Sequence, residues 1–285
     1  MQLHNPTSEI FVPDGSDPQE AIRRTTHLCV GAHQDDIEIA ASHGILECFG
    51  NPDKHFMGVV VTNGSGSPRD GLYAHYTDEQ MMAVRRVEQK KAAYIGEYCA
   101  QAFLDYTSAA VKDPANADVI EDLKKILSDA RPEVVYTHNL ADKHDTHVAV
   151  ALRLIKALRD LPGNARPKRL LGVEIWRDLD WLADEDKTVL DVSAHENLSA
   201  ALLGVFDSQI CGGKRYDLAT MGRRRAHATY YASHGVDVST ALVYAMDLTP
   251  LIEDDSLDPA SFVQSFIDRF AGEIRDRITR LTCMS

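Results

Sequence analysis

The chain has 285 residues, 44% of them hydrophobic, which is enough to bury a substantial core. Its 30 basic and 43 acidic residues give a net charge of −13, so nucleic acid is a poor partner and a neutral or cationic small molecule fits better. Five cysteines form an odd set without a C-x-x-C pair, which argues against a disulfide framework or a cysteine zinc knuckle.

The pattern of apolar and basic residues predicts where the protein resides and how it is divided. No run approaches about 18 consecutive apolar residues, and residues 1–13 lack a basic segment followed by an apolar one. We therefore expect no membrane span and a cytoplasmic location. Without an internal repeat or linker, a single domain over 1–285 is predicted, with an irregular lead-in over 1–25 and a C-terminal helix over about 258–282. The apolar stripe of that helix would cover the core or a subunit contact, so a homo-oligomer stays open.

Strands and helices are predicted to alternate along the chain. The strands are short apolar runs, expected over 26–32, 56–62, 132–137, 170–176 and 189–192. The helices have apolar residues at helical spacing and are expected over 37–49, 77–94, 116–130 and 142–159. Thr77 begins a capping box, Asp142 is expected to cap the last of these helices, and Gly96 is a stop signal.

This alternation predicts an α/β fold, a largely parallel, Rossmann-like sheet with helices on both faces. In such sheets ligands bind beyond the carboxyl ends of the strands, where His33 and His138 are both expected. The turn after the first of these strands reads His-Gln-Asp-Asp and contains no G-x-G-x-x-G. A dinucleotide-binding enzyme is therefore a weak alternative.

Two polar clusters follow predicted strands. The first is His33-Gln-Asp35-Asp36-Ile-Glu38, and the second runs from His138 to His147. Neighbouring side chains of an extended segment point opposite ways, so Asp35 and Asp36 can serve different tasks, while His144 and His147 share one helix face. Imidazoles and carboxylates that converge at one sheet edge would form a nitrogen and oxygen metal site. Each cluster could also act only as a helix cap.

The clusters resemble the two metal motifs of the PIG-L/LmbE zinc-dependent N-deacetylases. Residues 30–38 are similar to the A-H-P-D-D-x-E signature, and residues 137–147 resemble the segment that usually ends in H-P-D-H. Weaker similarities are the turn after the second strand, the R-x-x-E helix, an aspartate at the next strand end and an S-Q element, found here at 61–64, 85–96, 105 and 208–209.

The resemblance implies a role for each matching residue. His33, Asp36 and His147 would bind one Zn²⁺ per chain, although a site of two histidines and an aspartate also accepts other divalent transition metals. Asp35 would be the general base, and His144 would stabilise the oxyanion or protonate the leaving amine. Arg69 and Asp105 would hold sugar hydroxyls. The implied activity is hydrolysis of an N-acyl, usually N-acetyl, amide on an amino-sugar or GlcNAc-containing small molecule.

Two positions depart from the family pattern. Gln34 replaces the proline of the first motif and would bring an amide near the pocket mouth. Thr146 replaces the aspartate that can support the histidine of the second motif, and the positive end of the helix disfavours a charged imidazole at His144. Our hypothesis is that Asp142 or Asp145 supplies the missing charge. Other readings remain, namely a zinc hydrolase of a non-sugar amide or ester and a metal-binding protein without turnover.

Overall fold

The computed structural model describes residues 1–282. The eight strands are β1 Glu9–Phe11, β2 His27–Gly31, β3 Phe56–Thr62, β4 Ala100–Tyr106, β5 Val134–His138, β6 Arg169–Val173, β7 Thr188–Asp191 and β8 Leu242–Asp247. The α-helices of the first half are α1 Pro18–Arg23, α2 Asp36–Ala40, α3 Ser42–Cys48, α4 Asp78–Ile95, α5 Ser108–Lys112 and α6 Asp118–Ala130. Those of the second half are α7 Asp145–Arg159, α8 Glu196–Gly204, α9 Asp207–Ile210, α10 Tyr216–Tyr230, α11 Pro250–Glu253 and α12 Pro259–Thr282.

All eight strands belong to one sheet, in the order β1-β4-β3-β2-β5-β6-β8-β7. The five central strands pair in parallel, whereas β1 joins one edge and β8 the other in antiparallel orientation. Alternate strand residues face two separate apolar cores, as Leu28 and Val30 do on one side and Cys29 on the other. Helices α6 and α7 cover the first core, and α3, α4 and α8 cover the second. The predicted Rossmann-like fold is therefore confirmed.

The strand order places a change of direction beside β2. From β2 the chain builds outward through β3 and β4, and it then returns to add β5 and β6 on the opposite side. The carboxyl ends of β2 and β5 thus lie next to each other at a topological switch point, where open α/β sheets leave a crevice for ligands. The backbone N–H of Ala32 donates to Nε2 of His138 over 2.8 Å, which ties the two strand ends together.

Several elements differ from the prediction. The lead-in is not irregular, because β1 pairs with β4 and α1 buries Ala21 and Ile22. The helix predicted over 37–49 is interrupted at Ala41 and forms α2 and α3. Strands β4 and β8 were not predicted, and the side chain of Asp142 does not cap α7, whose N-cap residue is His144. The Thr77 capping box and the C-terminal helix are confirmed.

The longest helix, α12, has 24 residues, but charged side chains recur along it. Within residues 1–282, none of the helices combines the length and the apolar composition that crossing a bilayer requires.

Candidate active site

The turn between β2 and α2 holds the first polar cluster in a fixed shape. Asp35 has a φ of 92°, a left-handed conformation that is uncommon outside glycine and concentrates at functional sites. Asp36 begins α2, and its Oδ2 accepts the backbone N–H of His33 over 2.7 Å. This arrangement turns the two adjacent carboxylates in different directions. The turn does not disrupt the sheet, because β2 ends at Gly31, before the turn begins.

The buried carboxylate of Asp36 is surrounded by imidazoles from both clusters. Its Oδ2 lies 3.2 Å from Nδ1 of His33 and 3.4 Å from Nε2 of His147. Those two ring nitrogens are themselves 3.2 Å apart, although 114 positions separate the residues in sequence. The nearby imidazoles lower the pKa of Asp36 despite its burial, so its carboxyl is ionised. His33, Asp36 and His147 thus offer three donor atoms that all lie within 4.8 Å of one another.

A second donor group, His138, Asp142 and His147, meets the same distance criterion. It is less suited to a catalytic ion, because all three side chains are fully buried. Nε2 of His138 also already accepts the N–H of Ala32. The group that contains His33 reaches the surface instead, since 23% of the His33 side chain is exposed. An ion held there could keep one position open to solvent.

The side chain of Asp142 orients His147. Its Oδ2 lies 3.2 Å from Nδ1 of His147, so a proton on Nδ1 would donate to this carboxylate and Nε2, 3.4 Å from Asp36, could then coordinate an ion. Carboxylates of this kind are the usual partners of metal-binding histidines. The other oxygen of Asp142 accepts the backbone N–H of His144 over 3.2 Å. Asp142 therefore supports His147 and does not contact the ring of His144.

The carboxyl of Asp35 lies in the same crevice as that of Asp36, but its charged neighbour is the Arg85 guanidinium rather than an imidazole. Burial raises the pKa of Asp35 to about 7, against the opposing effect of the Arg85 guanidinium, whose Nη2 lies 3.5 Å from Oδ1. Arg85 also donates to the backbone carbonyl of Gln34, and Gln89 accepts the backbone N–H of Asp35 over 3.3 Å. A carboxyl with a pKa near neutrality can take up and release a proton at physiological pH.

The ring of His144 stacks on His147 with centroids 4.5 Å apart. Burial and the neighbouring imidazoles of His147 and His33 lower the pKa of His144, which favours the neutral ring. Asp145 is exposed on the first turn of α7. Asp142 and Asp145 thus leave His144 without the direct carboxylate partner that the sequence hypothesis required.

These groups open into a cavity of about 590 Å³. His33, Asp35, Asp36, His144 and Thr146 form its inner wall. Its outer wall comes from the loops and helix ends beyond the sheet and consists of Gly64, Gly66, Ser67, Pro68, Ser108, Lys112, Ile175, Trp176, Gln209, Lys214 and Tyr216, among others. The volume exceeds that of a single small ion or water cluster and falls in the range of small-molecule sites.

Arg69 and Asp105 do not line this cavity. Arg69 donates to the backbone carbonyl of Ser65 and to Asp78, over 2.6 and 2.5 Å. Asp105 pairs with Arg86 over 2.8 Å. Their side chains are thus directed to structural partners, and the expectation that they hold sugar hydroxyls finds no support in the geometry. Gln34 is also not at the pocket mouth, because it is 2% exposed and donates to the carbonyl of Thr62.

Sequence reasoning missed several residues of the site. Trp176, Lys112, Lys214 and Tyr216 line the cavity but belong to no recognised motif. The sequence does not show that the motif segments around Arg85 and Ser208 contact each other. Glu88 accepts both the backbone N–H and the hydroxyl of Ser208, over 2.7 and 2.6 Å. These two bonds anchor α9 against α4.

The architecture and this centre define an α/β protein with a buried histidine and aspartate cluster at the carboxyl edge of its sheet. Residues 28–158 match the model of the PIG-L family, described as GlcNAc-PI de-N-acetylase. The matched segment carries both polar clusters, so the predicted relationship to this family is confirmed over those residues. The match supports a hydrolytic N-deacetylase enzyme, the class that the motifs predict. No curated protein sequence matches the chain significantly.

Solved structures share the fold at low sequence identity. The 4-carboxy-2-hydroxymuconate hydratase of Pseudomonas putida is 17% identical with a TM-score of 0.61, and the alignment covers 79% of this chain and 96% of the hydratase. The N,N′-diacetylchitobiose deacetylase of Pyrococcus horikoshii is 18% identical with a TM-score of 0.58, over 77% of this chain and 83% of that one. A deacetylase of teicoplanin biosynthesis is 13% identical with a TM-score of 0.57, covering 78% and 98%. One fold thus supports different reactions, and the site must decide the chemistry.

Proposed function

We propose that this protein hydrolyses an N-acetyl or related N-acyl amide on an amino-sugar-like small molecule, with Zn²⁺ held by His33, Asp36 and His147. The observation that carries the proposal is the convergence of these three side chains beside the buried Asp35 at the base of an accessible cavity. The family match and the deacetylase neighbours, including the chitobiose enzyme, support the amide and the sugar.

The donor set suits a catalytic zinc ion. Two imidazole nitrogens and one carboxylate oxygen are common ligands of zinc sites that keep an open position. Asp36 is ionised, and Asp142 leaves Nε2 of His147 free to donate its lone pair. When bound, zinc would polarise the amide carbonyl and lower the pKa of water to about 7.

The remaining groups of the chain supply proton transfer and orientation. Asp35 accepts the proton of the attacking water and later delivers it toward the departing amine, which its position in the crevice and its raised pKa allow. His144 faces the cavity, where its neutral ring can donate a hydrogen bond to the developing oxyanion. The ion pair with Arg85 orients the Asp35 carboxyl. The half-buried ring of Trp176 provides an apolar surface against which a sugar ring can pack.

Amine release from N-acetylglucosamine derivatives tests the proposal. We expect turnover that a chelator abolishes and that one equivalent of zinc restores. Metal content by mass spectrometry should fall in His33→Ala and His147→Ala. If the zinc-loaded protein releases amine from none of a broad panel of N-acyl sugars, non-sugar amides and esters, the proposed reaction is wrong.

The variant Asp35→Asn separates catalysis from metal binding without turnover. Retained zinc with lost activity would support the assigned general base. Lost zinc would instead make Asp35 a ligand. The cytoplasmic location, the single domain and the oligomeric state stay predictions from the sequence.

A further inference from the structure

The outer wall of the cavity differs in charge from the molecule as a whole. The chain carries a net charge of −13, yet the charged side chains on the exposed part of the lining are Lys112 and Lys214. The carboxylates of the lining, Asp35 and Asp36, lie deep in the crevice. Asp36 faces imidazoles and Asp35 faces Arg85, so neither is available to the outer lysines.

Neither lysine is neutralised by the protein. Among residues 1–282, Lys112 and Lys214 form no ion pair. Of their acidic neighbours in sequence, Asp217 pairs with Arg215 over 2.7 Å, and Asp113 accepts the backbone N–H of Ala115. The ammonium of Lys214 lies 5.3 Å from the centroid of Trp176, within the distance of a cation–π contact that holds it at the cavity wall.

From this distribution we infer that the substrate carries an anionic group, a carboxylate or a phosphate, which binds against Lys112 and Lys214. This inference rests on the proposed function and adds the substrate's charge to it. An acidic surface repels anions at long range, but a cleft lined by one sign of charge determines which group is bound inside it. This inference differs from the expectation of a neutral or cationic ligand, which was drawn from net charge alone. The cavity of about 590 Å³ has room for a substituent beyond a single sugar ring.

Three N-acetyl sugars test the inference on the zinc-loaded protein. The methyl glycoside of N-acetylglucosamine is neutral, N-acetylglucosamine 1-phosphate bears a phosphate, and N-acetylmuramic acid bears a carboxylate. We expect kcat/KM to be about tenfold higher for at least one anionic compound, since each partly exposed ion pair contributes a few-fold. A preference for only one of the two anions supports the inference and identifies the group. Equal kcat/KM for all three would overturn it.

Lysine variants locate the effect. In Lys112→Gln/Lys214→Gln the preference should disappear, because kcat/KM for the anionic compounds falls by a larger factor than kcat/KM for the neutral glycoside. Lys91→Gln is the matched control, because it removes a positive charge from an exposed lysine outside the cavity lining. An equal loss for neutral and anionic compounds in the double variant would mean that the lysines have a structural role, against the inference.

A binding experiment keeps the two proposals separable. If none of the three compounds is turned over, the proposed reaction fails for these sugars, and calorimetry with glucosamine 1-phosphate and glucosamine decides the subsite. Tighter binding of the phosphate that the double variant abolishes would support the subsite. Binding that the double variant leaves unchanged would show that the anion contacts the metal instead, and inorganic phosphate alone should then compete equally in both proteins.

Discussion

The bond between Asp142 and His147 should control zinc affinity. In Asp142→Asn the amide can donate to Nδ1 of His147, so the ring proton shifts to Nε2 and removes the lone pair that faces Asp36. Both side chains are fully buried, and a hydrogen bond to a charged group in such surroundings contributes about 1.5–3 kcal/mol. Loss of such partners typically weakens metal binding by about 10- to 100-fold.

Competition with a chromophoric chelator at pH 7.5 measures this change directly. Asp145→Asn is the matched control, because it removes the same charge from an exposed position three residues away, at the start of α7. Thermal melts of both metal-free variants show whether either is simply unfolded. Zinc affinity within about twofold of wild type in folded Asp142→Asn would refute the reasoning. An equal weakening in Asp145→Asn would assign the effect to net charge rather than to ring orientation.

Three further outcomes follow from individual contacts. Asp35→Asn should keep zinc and lose about 10²- to 10⁴-fold in kcat, the usual contribution of a general base, and turnover within tenfold of wild type would exclude that role. Burial lowers the pKa of His27 to about 4, below its value in the unfolded chain, so its contribution to stability is present above pH 6.5 and is lost as pH falls toward 4. The free energy of unfolding, measured by urea titration, should therefore fall less between pH 6 and 4 in His27→Gln than in the wild type. An equal fall in the two proteins would contradict the assignment. Gly44→Ala should destabilise by about 1–3 kcal/mol, because the added Cβ would lie 2.5 Å from the Tyr136 ring, whereas Gly163→Ala, which meets open space, serves as the control.

Strong local patterns made the centre of the fold predictable. Strand β3 was predicted over its full range of 56–62, and α4 at its capping box, because each pattern is continuous and bounded by clear signals. The sequence does not predict β4 because Gln101 and Asp105 interrupt its apolar run, although Gln101 is fully buried and bonds within the sheet. Whether such a segment forms a strand depends on the strands it pairs with, and a single sequence does not show which strands these are.

The inner site was easier to predict than the outer wall. His33, Asp36 and His147 belong to short motifs directly after strands, so the fold alone brings them together. Asp142 and Asp105 show the limit of that approach. The partner of each carboxylate depends on side-chain directions that spacing leaves undefined, and the structure gives them His147 and Arg86. Lys112, Trp176 and Lys214 come from three separate segments, so only tertiary structure reveals that they share a cavity.

The join between β2 and β5 has a consequence for how the protein matures. His33 and His147 lie 114 positions apart, and their approach depends on two strands that cannot pair until more than a hundred intervening residues have been arranged. Contacts of such range form late in folding, since loop closure must precede them. A chain that extends only through β4 lacks His147 and therefore cannot form this three-residue ion site. An ion bound by these residues would add its binding free energy to the stability of the folded domain.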